Sequence, residues 1–355
     1  MAAKYLPSYG SLLLLSPNHT KNPHSQSSHH PPHQKYCISN SELYEIYATY
    51  YGRPSPACAP FIGSRFKTSM KKNGSYERVL DAYGHELESA CLRGDGRRQQ
   101  HNDILFTLFD LDHCYDAYLL RKEVYGIFRS LIHDVDRLER EMRARARQGL
   151  VPDFTIKTKL GGLDLGDVKT VTVCPSRYEP KRDAKGPTHG TAVDRRGAAV
   201  HGEYAYKAKV IDRKYNGIAK DAVAPGPVAR KLAEFGRVQG LAFGAYGEAS
   251  EDVFALLDEI ARVGAIRGWR DMGCNNELAA RGILTQMTRH ALGIAVVRAN
   301  ARLLLDRVVT VTGRAGCDEA RKRRKKAHFG WRARRNARSR LNGFARSQRF
   351  DGHRG

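Results

Sequence analysis

The sequence predicts a mixed α/β fold of the α+β kind. A central mixed sheet is flanked by helices and followed by a C-terminal helical extension. Three observations predict it. Helical periodicity and short β-rich runs alternate between residues 102 and 265. The glycine pair Gly161 and Gly162 separates two runs rich in β-formers. A stretch from about Asn276 to Val309 keeps helical spacing throughout.

Taken in order, residues 1–36 are rich in Ser, Pro, Asn and His and read as a disordered leader; 37–100 read as an accessory region. Ile104, Leu108, Leu111 and Tyr115 recur at i, i+4, i+7 and i+11, which predicts a helix over 102–118. Leu119 to Phe128 reads as a strand carrying Glu123. Leu131, Val135, Leu138 and Met142 predict a second helix over 131–148, with Arg137, Arg140, Arg143 and Arg147 as a basic stripe on its other side. Val151 to Ile156 and Leu165 to Val173 read as a hairpin around the glycine pair. Residues 175–192 read as a loop. A helix over 193–216 carries Val200, Tyr204, Ala208, Ile211 and Tyr215 on one face, and Val238 to Phe243 reads as a buried strand. Ser250 is the expected N-cap of the next helix, with Glu251 and Asp252 suiting its positive end. The organisation is therefore a core over 101–265, a helical extension over 266–313 and a basic disordered tail over 314–355.

Composition narrows the function. The chain has 355 residues and is 41% hydrophobic, enough for a core, so a fully disordered chain is excluded. Leu12 to Leu15 is the longest purely apolar run near the start, too short for a membrane span or a secretory signal. The expected location is the nucleus in a eukaryote and otherwise the cytoplasm. The formal net charge is +23, which points to a polyanionic partner, nucleic acid, with DNA favoured over RNA. The tail from Arg314 holds 15 Lys or Arg against three acids. Its run Arg321, Lys322, Arg323, Arg324, Lys325, Lys326 has the form of a nuclear-import or phosphate-binding cluster.

The chemistry concentrates in the hairpin. Asp167 and Lys169 are two apart on a strand, so they share a face, while Val168 points to the core. A turn centred on Gly161 and Gly162 pairs residues whose numbers sum to about 323, which lands Asp153 beside the Asp167 to Lys169 segment. Two carboxylates at one patch suit a hard cation, Mg²⁺ or Mn²⁺, and an adjacent lysine suits charge building on a phosphate.

Pro152-Asp153 followed by Asp167-Val168-Lys169 resembles the two motifs of the PD-(D/E)XK, or restriction-endonuclease-like, nuclease superfamily. The expected order of helix, three strands, helix and strand agrees with that superfamily's core, interrupted by the helix over 131–148. The resemblance implies a metal-dependent endonuclease that hydrolyses DNA phosphodiester bonds. Asp153 and Asp167 would be metal ligands, Lys169 a catalytic residue, and Glu123 a further acid, ahead of Asp103 and Glu139. His201, Glu203 and Lys207 are polar candidates on the following helix, although Glu203 and Lys207 at i, i+4 also suit a surface ion pair. A narrower similarity is to the restriction-like endonuclease regions of eukaryotic retroelements. It rests on Leu80 to His85, Arg97 to Asp103, Glu203-x-x-x-Lys207 and Phe243 to Glu248, and would cover about residues 50 to 310. No polymerase Tyr-x-Asp-Asp motif is present.

Competing readings are a catalytically inactive nucleic-acid-binding descendant of such a nuclease and a basic module that binds RNA in a particle. Cys58, His85, Cys91 and His101 could form a zinc site, but their spacing matches no standard pattern and a structural role is preferred. Glu248 reads as turn chemistry beside Gly247. The tyrosines from Tyr44 to Tyr51, with Trp269 and Trp331, read mostly as core packing rather than base-stacking groups.

Overall fold

The computed structural model describes residues 38–68, 77–90, 92, 96–122, 126–138, 150–158, 161–172, 182–183, 186–187 and 192–313. Among these, helix α1 (Asn40–Tyr50) precedes a small hairpin of β1 (Arg65–Lys67) and β2 (Glu77–Val79) and the short helix α2 (His85–Ser89). Then come α3 (Gly96–Cys114), β3 (Leu120–Lys122), β4 (Phe154–Lys157) and β5 (Leu163–Thr170). A two-residue pair, β6 (Arg182–Asp183) with β7 (Gly186–Pro187), leads to α4 (Ala192–Tyr215) and α5 (Pro227–Ala233). The chain continues through β8 (Val238–Phe243), α6 (Glu251–Gly268) and α7 (Glu277–Thr312).

The main sheet has four strands in the order β3-β4-β5-β8. The first three are antiparallel neighbours and β8 runs parallel to β5. Alternation along each strand feeds two cores. One side presents Phe154, Ile156, Val168, Leu241 and Phe243, which pack with Ile104, Leu108 and Leu111 of α3, Val253, Leu257 and Ile260 of α6, and Leu292, Val296 and Ala299 of α7. The other side presents Leu165. With Val238, it packs against Val200, Tyr204, Ala208, Ile211 and Tyr215 of α4, Val228 and Leu232 of α5, and Phe128, Ile132, Leu138 and Leu150. The helical face predicted for α4 is thus the face that is buried. Helix α4 can lie directly on β8 because both contact positions are glycines: a Cβ on Gly197 would stand 2.7 Å from the Gly240 carbonyl oxygen.

Several boundaries differ from the sequence expectation. Helix α3 runs over Gly96–Cys114 rather than 102–118. It stops early because the buried Asp112 carboxylate accepts the amide N–H groups of Leu119 (2.9 Å) and Leu120 (3.1 Å), turning the chain into β3. Of the strand expected over 119–128, Leu120–Lys122 are described as strand, 123–125 lie outside the described residues, and Arg129–Leu131 form a 3₁₀ turn. The second helix begins at Val135 rather than 131; its course beyond Leu138 lies outside the described residues. The hairpin register sums to 320, not 323, since Phe154 faces Gly166 and Lys157 faces Leu163. The turn closes through Thr158 N–H to Gly162 (2.9 Å) and Gly161 N–H to Thr158 (3.0 Å), with Gly161 at φ +80°, so it is centred one to two residues early. Ser250 holds the N-cap position, yet its hydroxyl makes no capping bond. It donates to the Gly240 carbonyl (3.0 Å) and accepts from the Ala242 amide (3.1 Å), tying α6 to β8.

Candidate active site

The site lies where β4 begins and β5 ends. Asp153 precedes β4 and its amide donates to the Gly166 carbonyl at 2.9 Å, which extends the ladder and sets Asp153 across from Asp167. Gly166 is obligatory beside it, because a Cβ there would run into the Phe154 ring. Asp167 and Lys169 follow on the face expected for them, with the Lys169 ammonium in an ion pair with Asp167 Oδ2. The three residues singled out in the hairpin therefore converge, although the register that brings them together is not the expected one.

The two carboxyls are unequal. Asp153 Oδ2 accepts from the Val168 amide at 2.7 Å and meets His101 Nε2 at 2.9 Å. Burial works to raise its pKa, and the His101 ring and Val168 amide outweigh burial, so Asp153 stays below the usual carboxylate range. For Asp167, burial is the largest influence and the neighbouring Asp153 adds to it, while Lys169 opposes them; its pKa is pushed up to about 6. Of the two, Asp167 is the one that takes up a proton first as pH falls. Asp167 Oδ2 is buried and accepts no hydrogen bond of good geometry, so Lys169 meets it as a charge. His101 is driven down by burial and driven up by Asp153; the carboxylate prevails and the imidazole is raised above its usual value.

His101 is the residue the sequence reading missed here. The hydrophobic spacing starts the helix at Asn102, because Arg97 to Gln100 are polar and show no periodicity. Starting the helix at Gly96 puts Gln100 and His101 on it, at the end that faces the site. Buried Gln100 donates to Asn300 of α7 at 2.6 Å and accepts from Thr170 at 3.4 Å, holding α3 against the end of β5.

The remaining candidates separate. Glu203 of α4 lies close enough to Lys169 for that charge to lower its pKa, but its first partner is Arg196, at 2.6 and 3.2 Å, rather than Lys207. Lys207 stands 5.3 Å from the Tyr204 ring centroid. The His201 Nδ1 accepts the Val238 amide at 3.2 Å, a structural tie. Asp103 pairs with Arg302 at 3.5 Å. Glu248 accepts the Tyr246 amide at 2.8 Å, as turn chemistry predicts. Arg137 is exposed. Glu123, Glu139, Arg140, Arg143, Arg147, Trp331 and the run Arg321, Lys322, Arg323, Arg324, Lys325, Lys326 lie outside the described residues.

Of the zinc candidates, Cys58 is fully buried in a third core with Phe66, Leu80, Leu87, Leu304 and Val308, and burial pushes its thiol up to about 11. His85 stacks on Tyr83, His101 serves Asp153, and Cys91 lies outside the described residues. The expectation of core packing fails for the tyrosines of α1 and its C-cap: Tyr44 is 63% and Tyr51 72% exposed, and Tyr47 stacks on Tyr51.

Among the described residues no group of three or more His, Cys, Asp or Glu is arranged to hold a metal ion. The donor set still fits Mg²⁺ or Mn²⁺ as a two-carboxylate site, because such ions keep several waters and take remaining oxygens from phosphate. Asp167 Oδ2, buried without a hydrogen bond, is the atom that supports that fit. No helix among the described residues is long and apolar enough to cross a membrane. Comparison with known protein families, with characterised proteins and with solved structures finds no match.

Proposed function

We propose that this protein is a metal-dependent endonuclease that hydrolyses phosphodiester bonds of DNA, built on a restriction-endonuclease-like core. The observation that carries the reading is the meeting of Asp153, Asp167 and Lys169 at one end of a mixed sheet. The order α3, β3, β4, β5, α4, β8 supports it, as does the net charge of +23.

Asp153 and Asp167 would hold Mg²⁺ or Mn²⁺, which when bound acidifies water and neutralises charge on a phosphate. The chain's own part is positional and electrostatic. Lys169 Nζ, a quarter exposed, turns from Asp167 towards the scissile phosphate and stabilises the charge that builds there. His101 Nε2 orients Asp153 through Oδ2, and the Val168 amide fixes the same oxygen from the strand. Water adds to phosphorus as the bond to the sugar oxygen breaks, and that oxygen leaves with a proton.

The test is nicking of supercoiled plasmid at low salt with Mg²⁺ or Mn²⁺, against chelator. Asp153→Ala and Lys169→Ala are expected to lose roughly 10²–10³ in rate while still binding DNA. A second reading, an inactive DNA-binding protein, is favoured by one feature: each carboxylate already has a cationic or imidazole partner within the chain. Binding without cleavage in either metal establishes that reading instead.

A further inference from the structure

A cavity of about 370 Å³ opens at the far end of β4 from the candidate active site. Asp153 and Lys157 are four residues apart on that strand, roughly 13 Å. Its walls come from the α3–β3 turn, β3, β4 and α6. Four cations line it, Arg121, Lys157, Arg262 and Arg267, against one carboxylate, Glu259. Two of the cations are committed: Arg262 binds Glu259 through two bonds of 2.9 and 2.6 Å, and Arg267 donates to the Asp116 carbonyl. Arg121 and Lys157 are exposed, and no carboxylate pairs with either among the described residues.

The lip of this cavity is held in unusual backbone. Asp116 and Tyr118 have φ of 50° and 51°, and they are the non-glycine residues of positive φ among those described. A bulky aromatic residue in that region is strained, and such strain persists only where the surroundings hold it. Tyr118 is 54% exposed, and its ring meets that of His113 edge-on at 5.4 Å. The Tyr118 hydroxyl donates to Asp116 Oδ1 at 2.8 Å. An apolar floor of Ala117, Leu119 and Val263 lies below.

An aromatic ring at a cavity mouth, an apolar floor and two uncommitted cations make the chemistry of a nucleotide site. We propose that this cavity binds one nucleotide of a single-stranded nucleic acid, its phosphate between Arg121 and Lys157 and its base against Tyr118. The proposal does not depend on catalysis at Asp153, because the cavity has its own residues and the test reads binding alone.

The test is photocross-linking of a short single-stranded oligonucleotide containing 5-iodouracil to the full chain, in chelator so that no cleavage occurs, with peptide mapping. The expected adduct lies on the peptide that contains Tyr118. It is lost in Tyr118→Asn, which removes the ring and tolerates the left-handed backbone, and in the double variant Arg121→Ala, Lys157→Ala. By fluorescence anisotropy each variant is expected to weaken the same strand roughly tenfold. The double variant should also flatten the salt slope by about 0.7 for one lost phosphate contact. Inorganic phosphate should compete only weakly. An adduct confined to the α1 tyrosines or the basic tail, or equal weakening of a duplex of the same length, overturns the proposal. Unchanged thermal midpoints in the variants keep misfolding apart from lost binding.

Discussion

A carboxyl buried beside a second carboxyl holds its proton more tightly than one in water, and Asp167 does so with a pKa of about 6. Folding therefore gains from protonated Asp167, and that contribution is complete below about pH 4 and is lost as pH rises through 6. Asp153 has the opposite sign, but its window lies at more acid pH because its pKa is lowered. In chelator, Asp167→Asn is expected to gain stability relative to the parent between pH 4 and pH 7, on the order of 2 kcal/mol. Parallel thermal-midpoint profiles for the two proteins would sink this. Millimolar Mg²⁺ at pH 7 should raise the midpoint of the parent and leave Asp167→Asn unmoved, since a ligand stabilises only the state it binds.

Elements here are joined by buried polar groups as much as by apolar faces. Asp112 closes α3 by accepting two amides of the β3 approach, so Asp112→Ala leaves both buried donors without an acceptor. The expected loss is about 2–4 kcal/mol in urea unfolding, with Asp112→Asn intermediate because one acceptor remains; equal losses for the two would refute the account. This tie also explains why the helix end was misplaced in the sequence reading. Hydrophobic spacing continues to Tyr115, and only the folded chain shows Asp112 turning back on Leu119 and Leu120. Strand β8 and helices α4 and α7 were legible nearly to the residue, because their apolar patterns are long or are bounded by Pro, Gly or Asn. Strand β3 was not, because its described run, Leu120–Lys122, is too short to carry a pattern.

At the scale of the whole molecule, α7 is the common wall. Its 36 residues span roughly 54 Å. It puts Leu292, Val296 and Ala299 into the core shared with α3 and the sheet, and Leu304 and Val308 into the N-terminal core with Cys58 and Leu87. Glu42 of α1 pairs with Arg298, at 3.3 Å, and with Arg302, both on α7. The Arg307 guanidinium donates to the carbonyls of Leu87, Glu88 and Ala90 at 2.6–3.0 Å. A chain ending at Asn276 is expected to lose cooperative thermal unfolding altogether. A sharp transition within a few degrees of the parent would show that α7 is an appendage.

The sequence by itself determined the mixed α/β class, the long last helix, the buried face of α4 and the placing of Asp167 and Lys169 on one side of a strand. These follow from local periodicity, in which neighbours along the chain settle where each side chain points. Tertiary structure alone decided the hairpin register that sets Asp153 across from Asp167, the arrival of His101 on Asp153 Oδ2, and the cavity between the β3–β4 edge and α6. Each of these depends on contacts between residues remote in sequence. Their partners are chosen by turn geometry, by the burial of polar groups and by close packing, none of which a single segment records.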